Sequence, residues 1–344
     1  MESLREGRIV LDVSVVIISY NEAEYIARAV ESCINQEFSG SMEIIIGDDG
    51  SSDDSISVIQ ELEERYPGII RHYVMDRNDG VNIPSVRVSN NIKRALSDAR
   101  GRYMAVLSAD DYFCSTSKFQ DAYDFLESDV KKKYSAVFTD FVFDYHDDKK
   151  ERRSLSCYPS GHLMVAQLYF HISTFVFRRE RLAKDVLPDR FIDDLGLTIL
   201  ICSAGKIKHF NNVSFAYMQR PSSIMHKSDN TVLELVNVMV IQDIYNKKIF
   251  RFAALSRMYP NLLQLFRLRT ELQNKKYDKY FADSAKYDHD FISMVKNYES
   301  STLGQKLKLQ LLLPAAGFSR MCFKVFGKVS GLFYKKQLRE SVGK

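Results

Sequence analysis

Two adjacent carboxylates, Asp110 and Asp111, follow an apolar run at residues 103–107. A short strand over this run would hold both side chains at its C-terminal end, the side of an open α/β sheet where ligands bind. Neighbouring carboxylates repel each other unless a cation lies nearby, and hard divalent ions prefer oxygen ligands. Taken alone the pattern favours an Asp-Asp turn or the N-cap of a following helix, with a cation site as the functional alternative that the rest of the chain must decide.

The segments before this pair alternate between strand and helix patterns. Residues 13–19 are too rich in β-branched side chains to alternate, which is typical of a strand buried on both faces of a parallel sheet. Such alternation predicts an α/β fold, a mostly parallel Rossmann-like sheet with right-handed crossovers and helices on both faces. Strands are predicted at 13–19, 43–46, 69–75 and 103–107, and helices at 25–34, 55–66 and 84–99.

The chain beyond the carboxylate pair continues the mixed pattern and then becomes helical. Predicted in this part are strands at 136–145, 172–177, 206–210 and 213–218, a charged hairpin or loop at 147–153, and helices at 119–128, 195–204, 233–248 and 260–276. No Gly-x-Gly-x-x-Gly follows the first strand and no Gly-Lys-Ser/Thr loop occurs, which counts against a dinucleotide-binding oxidoreductase and a P-loop NTPase.

Four places, in this order and at this spacing, resemble the family 2 glycosyltransferases, inverting nucleotide-sugar-dependent enzymes of the GT-A fold. They are Val-Ser-Val-Val-Ile-Ile-Ser-Tyr-Asn-Glu at 13–22, Glu-Ile-Ile-Ile-Gly-Asp-Asp-Gly-Ser-Ser-Asp at 43–53, Gly-Arg-Tyr-Met-Ala-Val-Leu-Ser-Ala-Asp-Asp at 101–111, and Asp193-Asp194 before Gly205-Lys206-Ile207. The resemblance covers residues 13–223. It implies a GT-A catalytic domain over 1–223, to which we add a helical extension over 224–301 and a basic amphipathic tail over 302–344.

The resemblance implies a nucleotide-sugar site along the first strands. Asp49, or Asp48, would accept the imide N–H of a pyrimidine base, a directional contact that apolar packing cannot supply. Arg87 lies where the family often has a basic residue facing the phosphates. The residues expected to hold the donor are Ser19, Tyr20, Glu22, Asp48, Asp49, Arg87, Ser108, Ala109 and Asp110.

The metal motif of the family is Asp-x-Asp, and Ser108 occupies its first position here. The resemblance then implies that Asp110 coordinates Mg²⁺ or Mn²⁺ and that Asp111 supports it, with His226 as a third ligand or a diphosphate contact. A hydroxyl is a weaker ligand than a carboxylate, so we expect modest metal affinity.

Direct displacement with inversion needs a base for the proton of the acceptor hydroxyl. The family places this carboxylate at the start of a helix about eleven residues before a Gly-Lys-Ile turn. Asp194 fits this position best, and Asp193 is the neighbouring alternative. A helix N-cap is the structural alternative for either residue.

Composition sets the expected location. The five cysteines show neither Cys-x-x-Cys spacing nor an even framework, which is typical of reduced thiols in a cytosolic protein. The first residues lack the apolar segment of a signal peptide, and no apolar stretch approaches the ~20 residues of a membrane span. We expect an intracellular protein without a transmembrane segment.

The tail, residues 305–344, carries nine Lys or Arg and one acid, whereas the whole chain has a net charge of +4. At helical spacing, apolar residues fall on one face and basic residues on the opposite face: Phe318, Cys322, Val325, Val329 and Leu332 against Arg320, Lys324 and Lys328. This pattern predicts peripheral contact with the inner face of an anionic cytoplasmic membrane through 305–340, or packing on the protein itself or a partner subunit.

The sequence thus favours an inverting glycosyltransferase that moves one sugar from a nucleotide-sugar donor, preferably a UDP-sugar, to a glycan or lipid-linked saccharide. Synthesis of bacterial surface polysaccharide or lipopolysaccharide is the expected setting. A nucleotidyltransferase and a catalytically silent nucleotide-binding or scaffold protein of the same fold remain alternatives, and a homo-oligomer remains open. Nucleic acid is not an expected partner, because the apolar face of the tail has no use on a phosphate backbone.

Overall fold

The computed structural model describes residues 11–78, 84–145, 149–155, 159–166, 170–182, 192–220, 230–247, 249–280, 291–300 and 302–342. The chain divides into two compact units. The first comprises residues 1–154, 170–187 and 191–219, and the second comprises 155–169, 188–190 and 220–344.

The first unit is built on a nine-stranded sheet in the order β3-β2-β1-β4-β8-β6-β9-β5, with β7 paired to β6. Its strands are β1 (Leu11–Ser19), β2 (Met42–Asp48), β3 (Ile70–Val74), β4 (Gly101–Ser108), β5 (Tyr112–Phe113), β6 (Tyr134–Asp144), β7 (Lys150–Arg153), β8 (Phe175–Arg178) and β9 (Lys206–Met218). Its helices are α1 (Ile26–Ile34), α2 (Ser55–Arg65), α3 (Pro84–Asp98), α4 (Lys118–Ser128) and α6 (Asp194–Ser203). Helices are numbered along the whole chain, and α5 belongs to the second unit. The predicted α/β fold is confirmed.

The first four long strands pair in parallel, as their apolar runs predicted. β1 lies between β2 and β4, and Val15 pairs with Ile44 on one side and Ala105 on the other. Both neighbours and both faces are covered, so Val15 is fully buried. This arrangement brings the carboxyl ends of β1, β2 and β4 to one edge of the sheet.

The second half of the sheet is mixed, which the sequence pattern did not predict. β8 runs antiparallel between β4 and β6. The strand predicted at 172–177 is only partly formed, because its first residues, Ile172–Thr174, form a 3-10 turn. The two strands predicted at 206–210 and 213–218 are one strand, β9, which pairs in parallel with β6 through an irregular register near Asp140. An irregular register of this kind admits extra residues without ending the strand.

The second unit is helical in its described part. Its helices are α5 (Gly161–Ala166), α7 (Asn230–Asn246), α8 (Arg251–Arg267), α9 (Phe291–Lys296) and α10 (Leu303–Val342). None of the helices in the described residues is both long enough and apolar enough to span a membrane.

The prediction of a helix at 260–276 is wrong in both bounds. Pro260 lies inside α8, which begins earlier, and the segment after Arg267 forms 3-10 turns. Proline is disfavoured in a helix interior since it cannot donate to the carbonyl four residues earlier. Here that carbonyl belongs to Ser256, and it accepts a hydrogen bond from Arg320 of α10 at 3.4 Å. A tertiary contact therefore replaces the missing helical one.

Candidate active site

Side chains and backbone groups join the loop after β1 to the loop after β2. Asn21 has a left-handed backbone, φ 56°, which asparagine tolerates better than most residues. Its Oδ1 accepts a hydrogen bond from the N–H of Ser52 at 2.8 Å, and its own N–H donates to Ser51 Oγ at 2.8 Å. Asp48 in turn accepts from the N–H and hydroxyl of Ser51. These bonds fix the two loops against each other at the carboxyl edge of the sheet.

The three expected nucleotide contacts at and just after the end of β1, Ser19, Tyr20 and Glu22, lie in different surroundings. Ser19 is buried and pairs with Asp48 across the sheet. Tyr20 is 38% exposed, so its ring is available at the surface. Glu22 is partly buried, and its N–H donates to Ser55 Oγ at 2.7 Å. Of these expected nucleotide contacts, Tyr20 offers the largest accessible surface.

Asp49 lies between two arginines. Arg87, only 5% exposed on α3, reaches Asp49 Oδ1 with Nη2 at 2.8 Å, and Arg77 Nη2 donates to Asp49 Oδ2 at 2.8 Å. The Arg77 guanidinium also lies 3.9 Å from the centre of the Tyr20 ring. Tyr20, Arg77, Asp49 and Arg87 thus form a continuous charged and aromatic cluster beside the ends of β1 and β2, exposed at Tyr20 and buried at Asp49 and Arg87.

Arg77 is a candidate site residue that the sequence reasoning missed. It follows β3, whose carboxyl end lies at the same edge of the sheet as the ends of β1 and β2. A rule that examines polar residues after every parallel strand would have included it.

The pair after β4 is split between two environments. Asp111 is fully buried, and its Oδ1 accepts a hydrogen bond from the N–H of Met218 at 2.9 Å, which joins the loop to the end of β9. Asp110 is partly exposed, and its carbonyl accepts from Arg28 Nη2 at 3.3 Å. Ala109 is buried and donates its N–H to the carbonyl of Ile18 at 3.0 Å, while Ser108 at the end of β4 is partly exposed.

The second acidic pair lies at the start of α6. Asp193 is the N-cap, and its Oδ1 accepts a hydrogen bond from the N–H of Gly196 at 2.7 Å. Burial, together with the adjacent charge of Asp194, raises the pKa of Asp193 to about 7. Asp194 is the first residue of the helix, and its Oδ1 accepts from the N–H of Leu195 at 2.9 Å. The N-cap expected as the structural role of either residue is filled by Asp193.

The pKa of His171 is affected by one member of each acidic pair. Its ring is buried, stacks on Phe215 at 4.9 Å between centroids and lies 4.9 Å from the Tyr217 ring. Burial lowers the pKa of His171, and the charges of Asp194 and Asp110 act in the opposite direction. Both carboxylates therefore contribute to the electrostatic surroundings of this imidazole, although 84 residues separate them in sequence.

Of the Asp110–Asp111 pair, Asp110 is the member whose carboxylate is accessible to a divalent cation. Among the described residues, no group of three or more His, Cys, Asp and Glu side chains is placed to hold a metal ion. His226, the third expected ligand, lies outside the described residues. Because Mg²⁺ is commonly held by one or two carboxylates together with substrate phosphates, the donor set fits a cation that arrives with a diphosphate.

Curated relatives match parts of the chain. An uncharacterized protein of Mycobacterium tuberculosis is 28% identical over 62% of the chain, which spans 61% of that relative. The Escherichia coli UDP-Glc:alpha-D-GlcNAc-diphosphoundecaprenol beta-1,3-glucosyltransferase WfaP is 34% identical over 38% of the chain and 48% of its own length. The chain thus spans less than two thirds of these relatives.

Two solved structures share the fold. Staphylococcus aureus TarS 1–349 in complex with UDP-GlcNAc superposes with a TM-score of 0.56 at 14% identity, over 84% of this chain and 92% of that one. The mannosyltransferase PcManGT of Pyrobaculum calidifontis, in complex with GDP-Man and Mn²⁺, gives 0.50 at 15% identity, over 91% and 88%.

A family model supplies the classification that these partial matches leave open. The model described as glycosyl transferase family 2 matches residues 14–186, just over half of the chain. This stretch runs from β1 through β8 and contains the Asp48–Asp49 and Asp110–Asp111 pairs. On this match, the protein belongs to glycosyl transferase family 2.

Proposed function

We propose that this protein is an inverting glycosyltransferase that transfers one sugar from a nucleotide-sugar donor to a hydroxyl of a glycan acceptor. The observation that carries the proposal is that Asp110, after β4, and Asp194, at the start of α6, both act electrostatically on the same buried His171. This supports a site that combines a carboxylate suited to a metal–diphosphate with a carboxylate suited to a base. A role in bacterial surface polysaccharide or lipopolysaccharide synthesis is supported by the glucosyltransferase WfaP, whose name specifies a diphosphoundecaprenol-linked acceptor.

The donor would bind along the ends of β1 and β2. In this proposal Tyr20 packs against the base, Asp49 accepts its imide N–H, and Ser19 and Glu22 line the ribose side. Arg77 and Arg87 orient Asp49 through their hydrogen bonds, and Asp48 shapes the loop through Ser51. A uracil base suits this set, because it offers one N–H to a carboxylate and two carbonyls to guanidinium donors. We therefore propose a UDP-sugar donor, in line with the UDP-GlcNAc complex of TarS.

Asp110 would hold Mg²⁺ or Mn²⁺ together with the donor diphosphate, with Ser108 beside it. The metal supplies charge neutralisation for the departing nucleoside diphosphate. Asp111 acts on the protein side of this loop, where its bond to Met218 sets the position of Asp110.

Asp194 would act as the base. The acceptor hydroxyl attacks the anomeric carbon, the bond from that carbon to the diphosphate oxygen breaks with its electron pair, and the hydroxyl proton passes to Asp194. Asp193 keeps its side chain on the backbone of α6 and so supports the position of Asp194.

The decisive experiment is turnover against a panel of UDP-, GDP- and dTDP-sugars with Mg²⁺ and with Mn²⁺. We expect slow metal-dependent hydrolysis of one donor without acceptor, lost in Asp110→Ala. No hydrolysis of any donor, together with measurable nucleotide binding, would favour the silent nucleotide-binding protein, the alternative that Ser108 in the metal motif supports. Release of diphosphate from a nucleoside triphosphate and a sugar phosphate would favour a nucleotidyltransferase.

We propose a cytoplasmic location, peripheral on the inner face of the membrane. Three described cysteines, Cys33, Cys114 and Cys202, are free thiols in the first unit, which supports a reducing compartment.

A further inference from the structure

Helix α10 exposes a continuous row of large apolar side chains, here called the apolar face. Its members follow one another at intervals of three or four residues, with one interval of seven between Leu311 and Phe318, over about 45 Å of helix. Each is between 47% and 76% exposed: Leu303, Leu307, Leu311, Phe318, Met321, Val325, Val329 and Phe333. The face begins fifteen residues before Phe318, where the tail pattern in the sequence began. Monomeric proteins rarely expose a contiguous apolar surface of this kind unless it binds something.

The opposite side of α10 is already packed within the same unit. Ala316 and Ser319 are fully buried, and Ser319 Oγ donates a hydrogen bond to the carbonyl of Phe252 in α8 at 2.6 Å. A Cβ at Gly317 would lie 3.3 Å from the Tyr259 ring, so glycine permits close contact between the two helices. The helix is therefore fixed by one side, and the apolar face is a surface of the folded unit.

Charge identifies the occupant of the apolar face. Lys324 and Lys328 are exposed beside it, and Arg320 is held by Ser256 on the packed side. By sequence, residues 303–342 carry eight Lys or Arg and one acid, Glu340. A second copy of this helix would bring the same positive charge against itself, whereas an anionic lipid surface would attract it.

We propose that the apolar face of α10 lies in the surface of an anionic bilayer, with its apolar side chains among the acyl chains and the flanking lysines at the headgroups. This arrangement is that of an in-plane amphipathic helix, in which apolar burial and attraction to acidic headgroups add together. It does not depend on the proposed sugar transfer, because it concerns lipid binding alone.

The test is co-sedimentation of the full chain with vesicles of phosphatidylglycerol and phosphatidylcholine in equal parts, compared with phosphatidylcholine alone. We expect binding to the anionic vesicles that weakens at high salt, since screening removes the headgroup attraction. The pair Phe318→Ser and Val325→Ser should lower the vesicle partition coefficient about tenfold or more. The pair Lys324→Gln and Lys328→Gln should lower it about tenfold at low salt.

Matched controls use exposed positions of the first unit. Val130→Ser changes an apolar side chain that is 88% exposed, and Lys131→Gln with Lys133→Gln removes two exposed charges. Neither control should change vesicle binding. Circular dichroism identifies any variant whose helix content has fallen, and Met321→Ser then replaces it as a second substitution in the same face.

Three results would overturn the proposal. They are equal binding to neutral and anionic vesicles, no response to either α10 pair, or no vesicle binding together with a dimer in sedimentation velocity that Phe318→Ser and Val325→Ser dissociates. The last result would assign the apolar face to a second copy of this chain.

Discussion

The Asp110–Asp111 and Asp193–Asp194 pairs have the same composition, but the fold uses opposite members of each. After β4, the second residue, Asp111, is buried and bonded to the backbone of Met218. At α6, the first residue, Asp193, caps the helix through Gly196. The remaining members, Asp110 and Asp194, both act to raise the pKa of His171 against the effect of its burial.

The difference shows that the backbone conformation decides which of two adjacent carboxylates bonds to the protein. A helix N-cap precedes the helix, so the capping member of a pair at a helix start is the first one. A loop that leaves a strand has no such rule, and the inward member is the one that meets the neighbouring strand. In both pairs one acid bonds the backbone of a neighbouring strand or caps a helix, and the other is the member that we propose for the site.

The largest effect should come from Asp194→Asn. Loss of a general base lowers the rate by about 10²–10⁴, so sugar transfer should fall by that factor while the dissociation constant of the donor changes little. Transfer assays and isothermal titration with the donor measure both quantities. If Asp193→Asn abolishes transfer and Asp194→Asn does not, the roles at α6 are reversed.

Next in size is Asp110→Asn, which removes the accessible carboxylate after β4. We expect donor hydrolysis to fall about a hundredfold, because the metal–diphosphate loses a charged ligand worth several kcal/mol. The concentration of Mg²⁺ needed for half-maximal rate should rise in parallel. The free energy of unfolding should stay within about 0.5 kcal/mol of the native value, as for other surface changes. Unaltered metal dependence would contradict the assignment.

Asp111→Ala should act on stability. It leaves the buried N–H of Met218 without this acceptor, which costs about 1–3 kcal/mol. Urea unfolding measures the loss, and Asp111→Asn is the matched control because its amide oxygen can still accept. A loss in Asp110→Ala as large as that in Asp111→Ala would mean that the pair is not divided as described.

The smallest change in transfer rate is expected for Asp193→Asn, since asparagine is an equally good N-cap. The pKa of Asp193, raised to about 7 by burial and by Asp194, exceeds that of the same residue in the unfolded chain. Between about pH 4 and pH 7 the native state thus retains a proton that the unfolded state has lost, and its stability falls as pH rises. Asparagine cannot titrate, so this part of the pH dependence should disappear from urea unfolding curves. Curves that keep the native slope would show that another group causes it.

Much of the first half of the fold could be predicted, because strands buried on both faces are recognised by continuous runs of apolar, β-branched residues. The four expected strands between residues 13 and 107 correspond to β1–β4 within a few residues. The helix around Pro260 could not be predicted, since the carbonyl of Ser256 that Pro260 leaves without a helical donor is bonded by Arg320, 64 residues beyond Ser256. The antiparallel direction of β8 could not be predicted either, because the direction of a strand in a sheet depends on partners distant in sequence.

For the site, the sequence by itself determined which residue types stand at the carboxyl ends of the strands and which acids occur in pairs. Only the tertiary structure decided which acid of each pair is turned inward, that Arg77 and Arg87 share Asp49, and that α10 is packed on one side and exposed on the other. The physical reason is range: backbone preference and apolar periodicity act over a few residues, whereas the partner of Asp111 lies 107 residues along the chain.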